Sequence, residues 1–408
     1  MTFQALNGWT ATQRHVVVAS YLGWTLDAFD YFLLVFVLSD VAAEFTTSLT
    51  SVALATTLTL AMRPVGAFVF GRLADRFGRR PVLMLDVALY SLLGFATAFS
   101  PNLIVFLAIR ALFGVAMGGE WGIGASLTME HIKPESRGFV SGLLQSGYPS
   151  GYLLASVVYG LLYSTIGWRG MFMVGVLPAL LILYIRSKVP ESPSFKRERA
   201  RSVTAMSVLA QHWKLALYAI LLMTAFNFFS HGTQDFYPTF LQKQRHFAHG
   251  TVGTIAIIYN IGAILGGLTF GSISQALGRR RAIIVAALLA IPAMWLWVFS
   301  PTTAMLAAGA FVVQFFVQGA WGVIPAHLNE LSPPEARGTF PGTVYQLGNF
   351  IASLNLVIQA KIAESSGGNY AFALASVAIV AALAIALLIG LGREAKDVDM
   401  ATGALPGS

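Results

Sequence analysis

Polar side chains interrupt a stretch of the sequence, residues 215–240, that is otherwise apolar and long enough to span a membrane. On an ideal helix, which turns by about 100° per residue, these side chains fall within one arc of about 100°. The members of this polar stripe are Asn227, His231, Gln234 and Asp235. Ionisable groups at membrane depth are costly and usually face a bundle interior or a water-filled path. The polar stripe therefore predicts the wall of a substrate and proton pathway, the alternative being a contact between helices that serves packing only.

Two pairs of residues are candidates for carrying the proton. His231 and Asp235 lie four residues apart, so they can touch on one helix face and would titrate as a pair. Asp27 and Asp30 lie three residues apart on the first apolar segment. Binding a proton together with an acid anion adds no net charge, which lowers the desolvation cost of moving the loaded carrier. The sequence therefore predicts symport of a proton and an anion, with the proton site open between the two pairs.

The anion itself requires a cation, because an unpaired charge buried in a low-dielectric cavity costs several kcal/mol. Arg63 and Arg110 are the two cationic side chains that lie well inside apolar segments. A guanidinium presents a fork of donors that matches a carboxylate. We predict that Arg63 is the substrate clamp, and the alternative is an internal ion pair between Arg63 and Asp27 or Asp86.

The composition requires a membrane around these residues. Hydrophobic residues make up 56% of the 408-residue chain and charged residues 11%, whereas an average soluble domain has about 25% charged residues. The net charge of +8 does not indicate a nucleic-acid partner, because the basic residues are spread between the apolar runs. The chain has no cysteine, so it offers no disulfide and no thiolate ligand for a metal. We count twelve apolar segments of spanning length, at residues 16–38, 50–71, 82–99, 102–126, 139–163, 169–187, 215–240, 250–274, 282–299, 302–328, 339–360 and 370–391.

The distribution of Lys and Arg predicts the topology. No cleavable signal peptide is visible, since the first apolar run is itself long enough to span. With both termini in the cytoplasm, most of the 26 Lys and Arg residues fall on the cytoplasmic side. We therefore expect a multi-pass protein of the plasma (inner) membrane with cytoplasmic N- and C-termini.

The second half of the sequence repeats the first with a constant offset. Gly71 corresponds to Gly271, the pair Ser100-Pro101 to Ser300-Pro301, and Trp121 to Trp321. Six segments per half is an even number, so the halves enter from the same side as parallel repeats about an axis along the membrane normal. The predicted fold is all-α, with twelve helices in two pseudo-symmetric six-helix bundles and a central site between them. The predicted divisions are residues 1–187, a basic cytoplasmic linker at 188–212, and residues 213–408.

Loop motifs give this fold a family resemblance. The run Gly71-Arg-Leu-Ala-Asp75-Arg-Phe-Gly78-Arg-Arg resembles the loop 2–3 signature of the major facilitator superfamily, as do two shorter loops around Arg137 and Arg337. The signature can act as a conformational latch, because a carboxylate at its centre can pair with a helix terminus or an arginine of a neighbouring helix. The alternative role is topology alone, through the arginines. The expected latch residues are Gly71, Asp75, Arg76, Gly78, Arg79, Arg137 and Arg337, and Gln275 in the second copy makes the latch asymmetric.

Within the superfamily, Asn227-x2-Ser230-His231-x2-Gln234-Asp235-x3-Thr239 is similar to the seventh-helix motif of the Jen-type lactate/pyruvate:proton symporters, in the sialate:proton symporter family. The resemblance implies that the polar stripe binds substrate and couples protons, and that Arg110 pairs with an acid on the first helix. It also implies roles for Arg63, for Gln346 in the eleventh helix and for Ser146 in substrate choice. Cavity-lining candidates with no such specific match are Gln145, Tyr148 and Asn349.

Taken together, the residues predict a secondary active transporter that carries a small monocarboxylate, lactate or pyruvate, with a proton by alternating access. No nucleophile, metal-ligand spacing or phosphate-binding loop is recognisable, so we expect no enzymatic activity and no cofactor. We expect a functional monomer in the lipid bilayer. The alternative substrates are larger organic acids, such as sialate or aromatic or dicarboxylic acids. A different class of function would be an anion channel or a non-transporting sensor.

Overall fold

The computed structural model describes residues 9–47, 49–192, 195 and 211–400, and this part of the chain is helical throughout, with three short 3-10 turns. Most of the basic linker therefore lies outside the described residues. The helices of the first half are α1 (Ala11–Glu44), α2 (Leu49–Phe77), α3 (Arg79–Thr97), α4 (Leu103–His131), α5 (Arg137–Gln145), α6 (Gly147–Val174) and α7 (Leu180–Lys188). Those of the second half are α8 (Trp213–Gln234), α9 (Tyr237–Lys243), α10 (His249–Leu277), α11 (Arg279–Val298), α12 (Thr303–Trp321), α13 (Ile324–Leu331), α14 (Phe340–Ala352), α15 (Asn355–Ser365) and α16 (Tyr370–Leu391).

Ten helical segments in the described part of the chain are long and apolar enough to cross a membrane. One of them, Pro134–Lys188, is 55 residues long and contains two of the predicted spans. They are separated inside α6 by Gly167, whose backbone (φ 62°, ψ −176°) is not helical. The remaining predicted span is divided between α14 and α15, so the twelve predicted segments all correspond to helical structure.

The surfaces of the long helices suit a lipid environment. Large apolar side chains are exposed along them, including Ile104 (79%) and Leu391 (76%). Inside the two halves the aromatic side chains are instead fully buried, as for Phe113 in the first half and Trp297 in the second. An exposed apolar belt around a packed interior is the arrangement expected of a multi-pass membrane protein.

The helix crossings repeat between the halves. A Cβ atom at Gly66 of α2 would lie 1.8 Å from the carbonyl oxygen of Val115 on α4. At the same offset, a Cβ atom at Gly266 of α10 would lie 1.9 Å from the carbonyl oxygen of Phe315 on α12. Only glycine permits so close an approach of two backbones, a common device for packing helices in membranes.

The turn between α2 and α3 and its counterpart between α10 and α11 lie on one end of the molecule, which we call the basic face. Gly78 (φ 109°) and Gly278 (φ 88°) form these turns in a conformation that favours glycine. Glu191 accepts a hydrogen bond of 2.9 Å from the first backbone N–H of α3, and Glu394 accepts one of 3.1 Å near the start of α11. A carboxylate at a helix N-terminus is stabilised by the helix dipole.

Buried ion pairs at the basic face follow the same repeat. The guanidinium of Arg79 lies 3.3 Å from Glu130, and that of Arg279 lies 2.9 Å from Glu330. All four side chains are shielded from solvent. The repeat predicted from sequence motifs is therefore present as matching contacts, and the all-α fold is confirmed.

Candidate functional site

The helix that carries the polar stripe ends inside it. α8 runs to Gln234, Asp235 forms its C-cap, and a new helix, α9, begins two residues later at Tyr237. Pro238 contributes to the break, because it lacks the backbone N–H that would donate to the carbonyl oxygen of Gln234, four residues earlier. The C-terminal end of α8 therefore presents His231 and Asp235 beside a helix break rather than within a continuous span.

His231 lies between two oxygen-bearing side chains. Its Nδ1 is 3.1 Å from the carboxylate of Asp235, and its Nε2 is 3.1 Å from Oδ1 of Asn349 on α14. The side chain of His231 is 23% exposed and that of Asp235 is 39% exposed. An imidazolium donates from both ring nitrogens, so this geometry suits the protonated ring. A neutral ring fits the same contacts if the proton lies on Asp235, because Nδ1 can then accept while Nε2–H donates to Asn349.

The contacts continue from Asn349 to Gln346. Nδ2 of Asn349 donates to Oε1 of Gln346 at 3.3 Å, and Gln346 is fully buried. Its Nε2 has no hydrogen-bond partner among the described residues. Asp235, His231, Asn349 and Gln346 therefore form one connected network across α8 and α14, which joins both candidates on the eleventh predicted span to the proton pair.

The other two members of the polar stripe point elsewhere. Asn227 is buried and donates from Nδ2 to the carbonyl oxygen of Met223, one turn back on its own helix, at 2.8 Å. Gln234 donates to Gln314 on α12 at 3.0 Å. The structure thus brings together half of the stripe and leaves Asn227 and Gln234 in contacts of the kind that hold helices together.

Arg63 makes the internal ion pair that stood as the alternative to the substrate clamp. Nη2 of Arg63 is 3.7 Å from Oδ2 of Asp27, and both side chains are almost fully buried. The guanidinium also lies 5.6 Å from the centre of the Tyr31 ring, a cation–π contact. Nε and Nη2 of Arg63 have no hydrogen-bond partner within the described residues, so the fork keeps donors for a carboxylate in this state.

The environment of Arg110 is largely aromatic. Its guanidinium lies 4.0 Å from the centre of the Phe113 ring and 5.8 Å from that of Phe172. No hydrogen bond from its guanidinium nitrogens to the described residues is formed. Asp30 of α1 is the charge that acts most strongly on Arg110, so Arg110 interacts with an acid of the first helix electrostatically and without a hydrogen bond, while aromatic rings flank the cation.

Aromatic side chains from both halves surround these groups. Trp121 packs against Tyr345 across the halves at 4.7 Å between ring centres, and Tyr345 also contacts Trp321 at 5.6 Å. Nε1–H of Trp121 donates to Gln145 at 3.3 Å. The shared Gly-x-Trp-Gly pattern places both tryptophans at corresponding points of the repeat, but the pattern alone does not predict that they meet one tyrosine.

The remaining candidates of the fifth predicted span lie at the junction of α5 and α6. Ser146 is buried and donates its hydroxyl to the carbonyl oxygen of Leu143 at 2.7 Å. Tyr148 stacks on Trp24 of α1, with 5.6 Å between ring centres. Asp235 is close enough to Tyr148 to interact with it electrostatically. The stacked rings of Trp24 and Tyr148 therefore lie on the side of the first half that is near the candidate pair of His231 and Asp235.

The predicted latch joins the two halves at the basic face. Oδ1 of Asp75 accepts a hydrogen bond of 2.9 Å from the backbone N–H of Gly338, and its other oxygen accepts one from the hydroxyl of Thr339. In the second copy, Gln275 accepts a hydrogen bond of 3.3 Å from the N–H of Gly138. The carboxylate of Asp75 therefore accepts hydrogen bonds from the two residues just before the N-terminus of α14. In the second copy the corresponding acceptor is the neutral amide of Gln275.

The two loop arginines hold the C-terminal segment of the chain. Nη1 of Arg137 donates to the carbonyl oxygen of Val398 at 2.7 Å, and Arg337 donates to that of Met400. Both apolar side chains are buried in a cluster with residues of α4 and α5. Arg76, by contrast, is exposed beside the ring of Phe77 and is not brought to the contact between the halves.

The described residues contain no group of three or more His, Cys, Asp or Glu side chains that could hold a metal ion.

Comparison with known families fits these contacts. The sequence profile of the Major Facilitator Superfamily matches residues 21–248 and 220–402. The chain belongs to this superfamily. It is therefore a membrane transport protein and not an enzyme.

Curated relatives carry the names of several transported compounds. A carboxylic acid transporter protein homolog of Saccharomyces cerevisiae is 27% identical over 375 residues, which cover 84% of this chain and 60% of the yeast protein. A probable 4-methylmuconolactone transporter of Cupriavidus pinatubonensis is 30% identical over 367 residues, with 85% and 82% covered. The sialic acid transporter NanX of Escherichia coli is 24% identical over 390 residues, with 94% and 95% covered. The chain thus spans less than two thirds of the yeast relative's length.

Solved structures share the fold. The proton:xylose symporter XylE, bound to 6-bromo-6-deoxy-D-glucose, superposes with a TM-score of 0.72 at 16% identity, covering 96% of this chain and 98% of XylE. The human organic anion transporter MFSD10 gives a TM-score of 0.70 at 16% identity, covering 91% and 99%. At this identity the likeness shows the fold alone.

Proposed function

We propose that this protein is a proton-coupled symporter of an organic acid anion, with a small monocarboxylate such as lactate or pyruvate as the first candidate. One observation carries the proposal: His231 lies between Asp235 and Asn349 at a helix break, partly exposed, where it can gain and lose a proton. Histidine is the side chain whose ordinary titration spans the physiological range. The names of the yeast and Escherichia coli relatives support a carboxylic acid as the class of substrate.

Charge balance explains why an anion and a proton would travel together. In the structure Arg63 contacts Asp27 at 3.7 Å, too long for a strong hydrogen bond, and its fork retains donors. A carboxylate could accept from that fork while the proton enters the network of His231. The loaded carrier then gains no net charge, so its central site can be closed off from water without a larger desolvation cost.

Alternating access follows from where the halves touch. Polar contacts between the halves cluster at the basic face, as hydrogen bonds of Asp75 and Gln275 and an ion pair of Arg137 with Glu330. If this face is cytoplasmic, as the arginine distribution predicts, the structure corresponds to a state closed toward the cytoplasm. We propose that residues 1–187 and 213–408 rock about the central site, with 188–212 as their linker and both termini on the cytoplasmic side of the plasma membrane.

A second candidate substrate class is a larger or aromatic organic acid. The specific observation in its favour is the contact of Trp121 and Trp321 with Tyr345, which sets flat apolar rings beside the network of His231. Such rings bind planar ligands well. The name of the Escherichia coli relative, a sialic acid transporter, also supports a larger acid as the substrate.

Uptake into proteoliposomes with an imposed pH gradient tests the proposal. Labelled lactate should accumulate against its own gradient when the outside is acidic, and a proton ionophore should abolish the accumulation. An anion channel would pass the label only down its gradient, and a sensor would bind acid and move nothing. Competition by a panel of unlabelled acids then ranks small monocarboxylates against sialate, aromatic and dicarboxylic acids, and a panel in which no acid competes would contradict the proposal.

A further inference from the structure

We propose that the first half of the protein contains a second proton-binding site, in which Glu120 on α4 and Asp86 on α3 are neutral carboxylic acids. Neither residue belongs to the polar stripe or to the network of His231. The assignment of protons to these two groups does not depend on the substrate. Their use in coupling rests on the proposed symport.

Four carboxyl groups meet in the interior of the first half without donors. Asp27, Asp86 and Glu120 are fully buried and Asp30 is 2% exposed. None of their oxygens accepts a hydrogen bond from any described residue. An ionised carboxylate buried without donors costs several kcal/mol unless a cation compensates it. The number of nearby cations therefore decides how many of the four can be ionised.

Two cations are available, and they lie nearest the two aspartates of α1. Arg63 contacts Asp27 at 3.7 Å, and Arg110 is the strongest charged neighbour of Asp30. Two guanidinium groups balance two carboxylates, which leaves two carboxyl groups over. Both charged neighbours of Asp86 are acids, Glu120 and Asp27, so neither compensates a negative charge on Asp86. For Glu120 the charge of Asp27 acts more strongly than that of Arg63.

The positions of these two acids are built into the packing. Oε1 of Glu120 would lie 2.3 Å from a Cβ atom at Gly23, so the glycine of α1 provides the space for this carboxyl group. Oδ1 of Asp86 would lie 2.8 Å from a Cβ atom at Gly119. A larger residue at either position would displace the acid. The two carboxyl groups are therefore accommodated at specific points of the interface between α1, α3 and α4.

A separate observation points to a ligand at this cluster. Tyr90 is fully buried, and its hydroxyl has no hydrogen-bond partner in the described part of the chain. The hydroxyl is within electrostatic range of all four carboxyl groups. A buried hydroxyl seldom lacks a partner. The four acids do not form a group that could hold a metal ion, whereas a proton needs only one carboxyl oxygen and one nearby acceptor.

Charged and titratable groups surround the pair of Asp86 and Glu120. The groups in electrostatic range of one or both acids of the pair are Asp27 on α1, Arg63 on α2 and Tyr90 on α3. Asp30 and Arg110 act on this cluster through Asp27, and Tyr31, His231 and Tyr345 interact with Arg63. Arg63 is the link between the two sites, because it contacts Asp27 and acts electrostatically on His231. Displacing Arg63 from Asp27, for example by a substrate carboxylate, would leave the charge of Asp27 uncompensated beside the neutral pair and so favour protonation of Asp27 or transfer of a proton to it from the pair.

Infrared spectroscopy of the full-length protein in lipid, without substrate, tests the site directly. A protonated carboxylic acid has a carbonyl stretch that a carboxylate lacks. We expect this band in the wild type at neutral pH, loss of one contribution in each of Glu120→Gln and Asp86→Asn, and loss of both in the double variant. A wild-type spectrum without the band, or a band that persists unchanged in both single variants, would overturn the assignment.

Glu44→Gln is the matched control. Glu44 lies beyond the end of the first span, and it pairs with Arg169 at 2.6 Å. Partial burial raises the pKa of Glu44, but hydrogen bonds from Arg169 and Trp168 outweigh that effect and lower it. Glu44 is therefore ionised at neutral pH, and its replacement should leave the carbonyl band of the wild type intact.

Stability and transport give two further readouts. Replacing a neutral acid by its amide removes no charge, so both single variants should keep the melting temperature of the wild type at neutral pH, whereas loss of a paired carboxylate would lower it. If the wild type accumulates acid under a pH gradient, the ratio of protons to substrate should fall in Glu120→Gln, and an unchanged ratio would remove the pair from coupling. A wild type that shows the band but no accumulation would contradict the symport and leave the proton site standing.

Discussion

Asp75 and Gly338 join the two halves of the protein through a hydrogen bond of 2.9 Å from the backbone N–H of Gly338 to the carboxylate of Asp75. The residues are far apart in sequence and belong to different halves, so the bond exists only while the basic face is closed. Its counterpart, between Gln275 and Gly138, uses an uncharged acceptor at 3.3 Å. Charge-assisted hydrogen bonds are roughly twice as strong as neutral ones, so the two sides of the pseudo-symmetric contact differ in strength.

Removing this carboxylate should open the basic face. We expect Asp75→Ala to shift the equilibrium between closed and open states by about tenfold, the factor that corresponds to about 1.4 kcal/mol. Because the chain has no cysteine, a single reporter such as Ala67→Cys, which is 2% exposed here, can measure the change by its rate of thiol labelling. Arg76→Ala, in the same last turn of α2 but exposed, is the control, and equal labelling rates in the two variants would contradict the latch.

A bulky side chain at the same contact should prevent closure altogether. A Cβ atom at Gly71 would lie 2.8 Å from Cα of Thr339, so Gly71→Leu cannot be accommodated in the closed state. We expect this variant to bind substrate but to lose exchange of labelled for unlabelled substrate across the membrane. Gly160→Leu, at a glycine with open space around it, should exchange at the wild-type rate, and exchange by Gly71→Leu would show that closure at this point is not required.

The proton pair should be separable from folding. We expect His231→Ala and Asp235→Asn each to abolish accumulation driven by a pH gradient, because the group that carries the proton or its partner is lost. Both variants should still elute as a single species in detergent. His15→Ala, which removes a histidine bonded to Tyr184 at 2.7 Å, is the control. Normal accumulation in both test variants would move the coupling proton to the first half.

The clamp can be tested by affinity. We expect Arg63→Ala to weaken binding of the substrate anion by about 2 kcal/mol or more, which is roughly thirtyfold. Arg63→Lys keeps the charge without the fork and should lie between the wild type and alanine. Asp27→Asn removes the competing carboxylate and should bind the anion at least as well as the wild type. Affinities of Arg63→Ala within about twofold of the wild type would exclude the clamp role.

The sequence was sufficient for the fold, whereas it left the partners of the candidate site residues open. Repeated glycine and arginine motifs predicted both halves, because the same residue types, such as Arg79 and Arg279, must make the same buried contacts in each. The pairing of Arg63 with Asp27 was only one of two open alternatives, since spacing along a helix does not say which neighbouring helix supplies a partner.

The polar stripe shows the limit of periodicity. A rotation of about 100° per residue holds only while the helix continues, and α8 ends at Gln234, just before Asp235. Asn227 lies one turn before His231 on α8, but periodicity does not predict that its amide bonds to the backbone of its own helix. Contacts between the halves, such as that of Trp121 with Tyr345, depend on how two bundles meet. No local pattern encodes that geometry, so these residues were found only in the structure.

The last described residues of the chain have a practical consequence for handling the protein. The carbonyl oxygens of Val398 and Met400 accept hydrogen bonds from Arg137 of the first half and Arg337 of the second half. The side chains of Val398 and Met400 are buried in an apolar cluster with residues of both halves. A purification tag or fluorescent fusion placed directly after Met400 would disturb this contact. A truncation before Ala395 would remove one hydrogen-bond acceptor from each arginine. A tag at the opposite end of the polypeptide also needs a spacer, because Trp9 packs against the same apolar cluster.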